Sequence, residues 1–257
     1  MESTVLTEAP ERLNEPATTW SGTLLVGPMV ALFSGRGGAA SAHAHPAHAV
    51  VVGRFRARAG DVRISGQGAT ALPAGLVHEL DAPGAIAIAY LDARWFDVAA
   101  AEALARRWDR AATATSAATS LFEDVARLPR RAVDARALRA IDGLARGQSL
   151  AEAAGAVGLS GSRLSHLVGE CTGAPPRVWR KWLRLRAALD HVGDGRSATT
   201  AAYEAGFADS AHLSRSCRAV LGIPPSTLRG ATVRRLIPLD PETCAAARPG
   251  TSELNLR

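Results

Sequence analysis

The sequence predicts an α+β chain: a small N-terminal β-barrel followed by an all-α domain of two helix-turn-helix units joined by a linker helix. Three observations carry this expectation. From Trp20 to Phe96 glycines separate short apolar runs (TLLVG, VALF, AVVVGRF, DVRIS, TALPAG, AIAIAYL), the pattern of many short strands. From Asp97 onward proline and glycine thin out, and WFDVAAAEALARRWDRAATATSAATSLFEDVARL recurs at helical spacing. Finally, GAPPRVWR at 173–180 returns 49 residues later as GIPPSTLR at 222–229, each closing a unit that opens on Gly158-Leu159 or Gly206-Phe207. Such a two-fold repeat of helix, tight turn and helix is most commonly a pair of DNA-reading helices.

The elements follow in order. Residues 1–19, MESTVLTEAPERLNEP and on, are acidic and lack an apolar centre; they read as a flexible arm, neither secretory signal nor transit peptide. Residues 20–97 form the barrel, whose longest apolar stretch, GTLLVGPMVALF, is too short to span a bilayer. Residues 98–133 form a helical linker and dimerisation segment ending in the breaker LPRRAVD. Residues 134–230 form the repeat domain: Asp134 caps a helix presenting Ala137, Leu138, Ile141 and Leu144 on one face, and Ser149 starts the next. Residues 231–257 are a C-terminal tail.

Essentially all of the net positive charge lies with the repeat. The whole chain carries +6, of which residues 1–135 hold −1, 136–230 hold +6 and the tail +1. A basic balance restricted to one segment points to a polyanion partner there. Cys171, Cys217 and Cys244 are odd in number and lack CxxC spacing, which fits unlinked thiols in a reducing cytoplasm.

Within the first unit Leu164, Leu167, Val168 and Cys171 form a buried stripe, opposite Ser162, Ser165, His166 and Gly169. In the second, Leu213, Cys217, Val220 and Leu221 are the buried stripe and Ser210, Ala211, Ser214, Arg215 and Arg218 face outward. Arg215 aligns with His166 in the repeat. Short polar side chains and arginine on an exposed helix face suit base edges and phosphates in a major groove. Between the units, Val178, Trp182, Leu185 and Leu189 space as a buried stripe beside Arg180, Lys181, Arg184 and Arg186, which read as phosphate contacts or surface charge. Trp179 and Trp182 read as core.

Residues 134–230 resemble the AraC/XylS-type DNA-binding domain. The resemblance rests on LAEAAGAVGLSGSRLSHLVGECTGAPPRVWRKWLRLRAAL and EAGFADSAHLSRSCRAVLGIPPSTLR, with LS-x-S-x-L-S, G-F-x-D and G-x-x-P-x-x-x-R elements. It implies a transcription regulator without enzymatic activity that binds double-stranded operator DNA, recruits RNA polymerase if it is an activator, and acts as a cytoplasmic homodimer with no membrane contact. The DNA-binding residues it implies, with their basic neighbours, are Ser162, Arg163, Ser165, His166, Arg180, Lys181, Arg184, Ser210, His212, Ser214, Arg215 and Arg218. Cys217 replaces the usual phenylalanine, and Ala198 and Ala201 replace common isoleucines, so the second unit buries less apolar surface.

The N-terminal half resembles the cupins. GGAASAHAHPAHAVVVG places His43 and His45 as H-x-H, and LPAGLVH places Pro73, Gly75 and His78 as P-x-G-x-x-H. The glutamate of metal cupins is missing at its usual offset, with His48 nearby instead. The resemblance implies a cupin-like effector domain in which His43, His45, His48 and His78 take a divalent metal or line the pocket of a small-molecule organic effector. The competing class is a metal-dependent cupin enzyme, a dioxygenase or isomerase, with an appended DNA-binding domain.

Overall fold

A computed structural model describes residues 20–27, 29–110 and 113–235. The expected α+β architecture is present, with a curled sheet forming a half-barrel ahead of a helical domain. Seven strands come first: β1 (Ser21–Val26), β2 (Val30–Arg36), β3 (Ala39–His43), β4 (Ala47–Ala59), β5 (Val62–Leu72), β6 (His78–Asp81) and β7 (Ala85–Asp92). Their order in the sheet is β3-β6-β4-β7-β2-β1, with β5 also on β4, and every pairing among them is antiparallel. The curl centres on β4, which pairs with β7 through Gly53 and with β6 from Arg56. At Gly53 the backbone takes φ 132°, and a Cβ would lie 2.5 Å from the Ala85 carbonyl oxygen, so only glycine passes there.

Both faces of the sheet are covered, which is why AVVV in β4 is a continuous apolar run. Ala49, Val51 and Phe55 point into the barrel with Leu24, Phe33, Leu80, Ile86 and Ile88. Val50 and Val52 point outward with Leu32, Ala87, Ala89 and Leu91. Two helices cover that outer face: α1 (Val98–Asp109), capped by Asp97, and α2 (Ala114–Ala126), capped by Thr113. Residues 98–133 are therefore no mere linker; Leu104, Trp108 and Leu121 seal the sheet. The two helices are tied through buried Asp124, which accepts from the Trp108 indole at 2.9 Å, from Ser120 Oγ at 2.7 Å and from Arg107.

Six helices follow. They are α3 (Ala135–Ala145), α4 (Leu150–Gly155), α5 (Gly161–Thr172), α6 (Pro176–Gly193), α7 (Ala198–Glu204) and α8 (Ser210–Leu221). Their starts are written in the sequence: Asp134, Ser149, Ser160, Ser197 and Asp209 each accept a first-turn backbone N–H, and Ser149 forms a capping box with Glu152. Pro176 opens α6 at a position where no N–H is needed. α5 and α8 both end on a left-handed glycine, Gly173 and Gly222. One core holds Ile141, Leu144, Leu164, Val168, Trp179, Trp182, Leu185, Phe207, Leu213, Cys217 and Val220. The Trp179 indole donates to Thr172 Oγ1 at 2.7 Å.

The chain then returns to the barrel, contrary to expectation. After a 3₁₀ turn (Pro225–Arg229), β8 (Gly230–Arg235) lies parallel to β1, pairing Ser21 with Gly230 through Val26 with Arg235. The expected tail thus begins as an edge strand. Val233 is buried in the barrel core, which supplies the reason. The arm at 1–19, the tail beyond Arg235 and Cys244 lie outside the described residues. Among the described residues no helix is long and apolar enough to cross a membrane.

Candidate functional site

The two units present comparable helix faces. On α5, Ser162, Arg163 and His166 are exposed and Ser165 is half-buried, opposite buried Leu164 and Val168. Glu170, one turn on, lies 3.1 Å from His166 Nε2, an acidic neighbour that the residue pattern did not single out. On α8, Ala211, Arg215 and Arg218 are exposed, opposite buried Leu213, Ser216, Cys217 and Val220. His212 is half-buried, packed edge-on to Phe207 with 5.2 Å between ring centroids. Ser210 and Ser214 line a cleft with Leu189, Pro225 and Val233, so they flank the Arg215 face.

The basic residues of α6 divide. Lys181 is exposed. Arg180 turns back, its Nη2 donating to the Gln148 carbonyl at 2.9 Å, which clamps the α3–α4 turn. Arg184 is half-buried beside the Gly206 turn. Arg186, read as a phosphate contact or surface charge, is neither: it reaches the barrel, donating to Asp92 at 3.2 Å and to the Gly27 carbonyl. Helical spacing shows which residues share a face, but not that a second domain covers that face.

A second site lies where the domains meet. Trp182, Leu185, Arg186 and Leu189 of α6, with Leu221 at the end of α8 and Ile223 just after it, close the open end of the half-barrel over a cavity of about 50 Å³. Leu24, Phe33, Val51, Leu80 and Ile88 supply its apolar wall, and His43, His45, His78 and Tyr90 its polar side. Desolvation in this enclosure pushes the Tyr90 hydroxyl pKa far up.

The three histidines are held alike. Each Nδ1 contacts a backbone carbonyl two residues away: His43 to Ser41 at 2.8 Å, His45 to Ala47 at 2.8 Å and His78 to Leu76 at 3.0 Å. A carbonyl only accepts, so each Nδ1 carries the proton and each Nε2 keeps its lone pair. One ring nitrogen of each lies within 4.8 Å of the other two. Burial, reinforced by His78, lowers His43 to about 4; burial and both neighbouring imidazoles lower His45 to about 3; burial also lowers His78. All three are neutral near pH 7.

Neutral imidazoles oriented through Nδ1–H···O=C bonds are the donor set of a transition-metal site. Buried His45 Nε2 has no hydrogen-bond partner among the described residues. These residues fit a cation, and among the described residues no carboxylate joins them.

His48 stands apart from this set. Strand alternation turns it to the outer face, where its Nδ1 accepts from the Ala74 N–H at 3.1 Å. Its tautomer is therefore opposite to that of the other three. The expectation of a fourth histidine in the cluster is corrected by that alternation.

The barrel also grips α8. Ser41, whose carbonyl orients His43, donates its N–H at 3.0 Å and its Oγ at 2.9 Å to the Gly222 carbonyl.

Residues 153–231 match a helix-turn-helix domain family, from within α4 to the start of β8 and under a third of the chain. Among solved structures the chain is similar to ToxT from Vibrio cholerae O395, at 13% identity and TM-score 0.46, over 79% of this chain and 97% of that one. It is similar to ToxT from strain SCE256 with bound unsaturated fatty acid, at 12% identity and TM-score 0.45, over 83% and 96%. The O395 protein bound to (E)-4-(8-methylnaphthalen-1-yl)but-3-enoic acid gives 12% identity and TM-score 0.45, over 77% and 96%. No curated protein matches the chain.

Proposed function

We propose that this chain is a cytoplasmic one-component transcription regulator of the AraC/XylS type. In this reading α5 and α8 read operator DNA, and the cavity between barrel and helices senses a small effector or a metal. The observation that carries the DNA-binding reading is the repeat made physical. Two serine- or aspartate-capped helices of equal length expose Arg163 and His166 on one, and Arg215 and Arg218 on the other, from a shared core. The domain holding them carries essentially all of the chain's net charge.

Arg215 is the leading base reader, since a guanidinium pairs bidentately with guanine O6 and N7, worth about 1–3 kcal/mol of discrimination. Ser162, Arg163, Ser165 and His166 serve the first unit. Ser210, His212, Ser214 and Arg218 support the second, and exposed Lys181 meets phosphate. Regulation requires only that the effector bind one arrangement of the two domains more tightly than another. The cavity suits that role because its wall belongs to both domains.

The test is selection from a randomised duplex pool, followed by affinity measurements on the selected site. Arg215→Ala is expected to weaken binding and relax one base position. Lys181→Ala is expected to weaken all sequences about equally and lower the salt slope by about 1. Full retention of affinity and selectivity in Arg215→Ala would remove α8 from the reading role.

A further inference from the structure

The cavity at the domain boundary has an unmet demand on each of two sides. On the barrel side is His45 Nε2, buried and without a partner among the described residues, with a ring nitrogen of His43 and of His78 within 4.8 Å of it. On the helix side is Trp182, 4% exposed, whose indole N–H has no acceptor among the described residues. The rings of His45 and Trp182 lie 6.0 Å apart, and both line the cavity. A buried donor left without an acceptor costs stability, as does a buried lone pair left without a donor or metal.

Charge decides what could satisfy both. Imidazoles without thiolate or carboxylate suit a first-row cation such as zinc or cobalt. Three neutral ligands leave both of its positive charges in place. Among the described residues no aspartate or glutamate lines the cavity, and the charged side chain that does, Arg186, is itself cationic. An uncompensated dication in this apolar enclosure is strongly disfavoured. The cation has to arrive with its counter-charge.

We propose that the cavity takes a divalent first-row cation together with one small anion. His43, His45 and His78 hold the cation, the anion fills its open coordination position, and the Trp182 N–H of α6 donates to the anion. The inference rests on the reading of this cavity as the sensing site. Azide, a halide and a short carboxylate are each small enough to enter a cavity of about 50 Å³ beside the cation and serve as probes of that anion. Arg186, already bonded to Asp92 and to the Gly27 carbonyl, adds positive charge to that wall and favours an anion over a neutral ligand. The cation's ligands stand at the end of β3, in the turn after it and at the start of β6, while the anion's donor stands on the helix joining the two reading units. The ion pair therefore bridges the domains.

The experiment uses the full chain without DNA. Cobalt(II) is titrated in while its visible absorption is followed, and azide or acetate is then added to the cobalt-loaded protein. Saturable one-to-one cobalt binding and a saturable spectral shift with the anion are expected. Trp182→Phe keeps the ring and should weaken the anion about ten-fold while leaving cobalt affinity within two-fold. His45→Gln and, separately, His78→Gln should abolish both signals, with circular dichroism confirming the fold.

Failure to bind cobalt overturns the proposal, as does an anion affinity unchanged in folded Trp182→Phe. Absence of cobalt–anion coupling in a protein that still selects its duplex overturns this inference alone. Coupling in a protein that selects no duplex overturns the regulator reading alone.

Discussion

At the scale of single residues, Gly173 and Gly222 show how a repeat becomes asymmetric. Both end the second helix of a repeat unit in the left-handed region, at φ 71° and 72°. A Cβ on Gly173 would meet open space, whereas one on Gly222 would lie 2.5 Å from the Ser41 carbonyl oxygen and 2.6 Å from His43 Nδ1. Gly173→Ala should cost about 1 kcal/mol, the price of the backbone alone. Gly222→Ala should cost at least about 1–2 kcal/mol more, because backbone atoms of β3 cannot move aside cheaply. Equilibrium urea unfolding of both variants checks the difference; equal losses would mean that the α8–β3 contact contributes nothing. The GxPPxxxR repeat made both glycines legible as helix ends. It could not show that one is also a domain contact, since Ser41 lies 181 residues away.

At the scale of elements, period and caps were readable and partners were not. The capping residues of α3 and α4 and the buried stripes of α5 and α8 follow from spacing alone. The cupin resemblance groups His48 with His43, His45 and His78; His43 ends β3 and His45 lies in the turn after it, and only the alternation within β4, which starts at Ala47, turns His48 to the other face. Nothing in the apolar periodicity of 98–126 says that α1 and α2 cover a sheet, because a helix with one apolar stripe serves equally as a dimer seam. Asp124 is the side chain that fixes their pairing. Asp124→Ala would orphan the buried Trp108 N–H and should cost about 2–3 kcal/mol, read from the urea midpoint. A change below about 0.5 kcal/mol would show that apolar packing alone holds the pair. β8 escaped sequence reading because GATVRR is short and carries a single strongly apolar residue, Val233.

At the scale of the whole molecule, the barrel and the repeat domain form one connected body, with contacts on β1, β3 and β7 among those that join them. β8 pairs with β1, Ser41 holds Gly222, and Asp92 of β7 gathers Arg94 at 2.8 Å and Arg186 of α6 at 3.2 Å. Arg94 also reaches Asp142 of α3 at 3.4 Å and lies over the Trp179 ring. Asp92→Ala would leave two guanidinium groups without their shared buried carboxylate. It should destabilise the protein by about 3–5 kcal/mol. An effector at this boundary would act on the same contacts, so α5 and α8 would be set relative to each other by a helix that the barrel holds. The most direct test of that picture is protection mapping of the selected duplex. Wild type should protect two major-groove segments on one face of the duplex, and Arg215→Ala should lose one of them while keeping the other. A single protected segment that is unaltered by Arg215→Ala would contradict the two-helix reading.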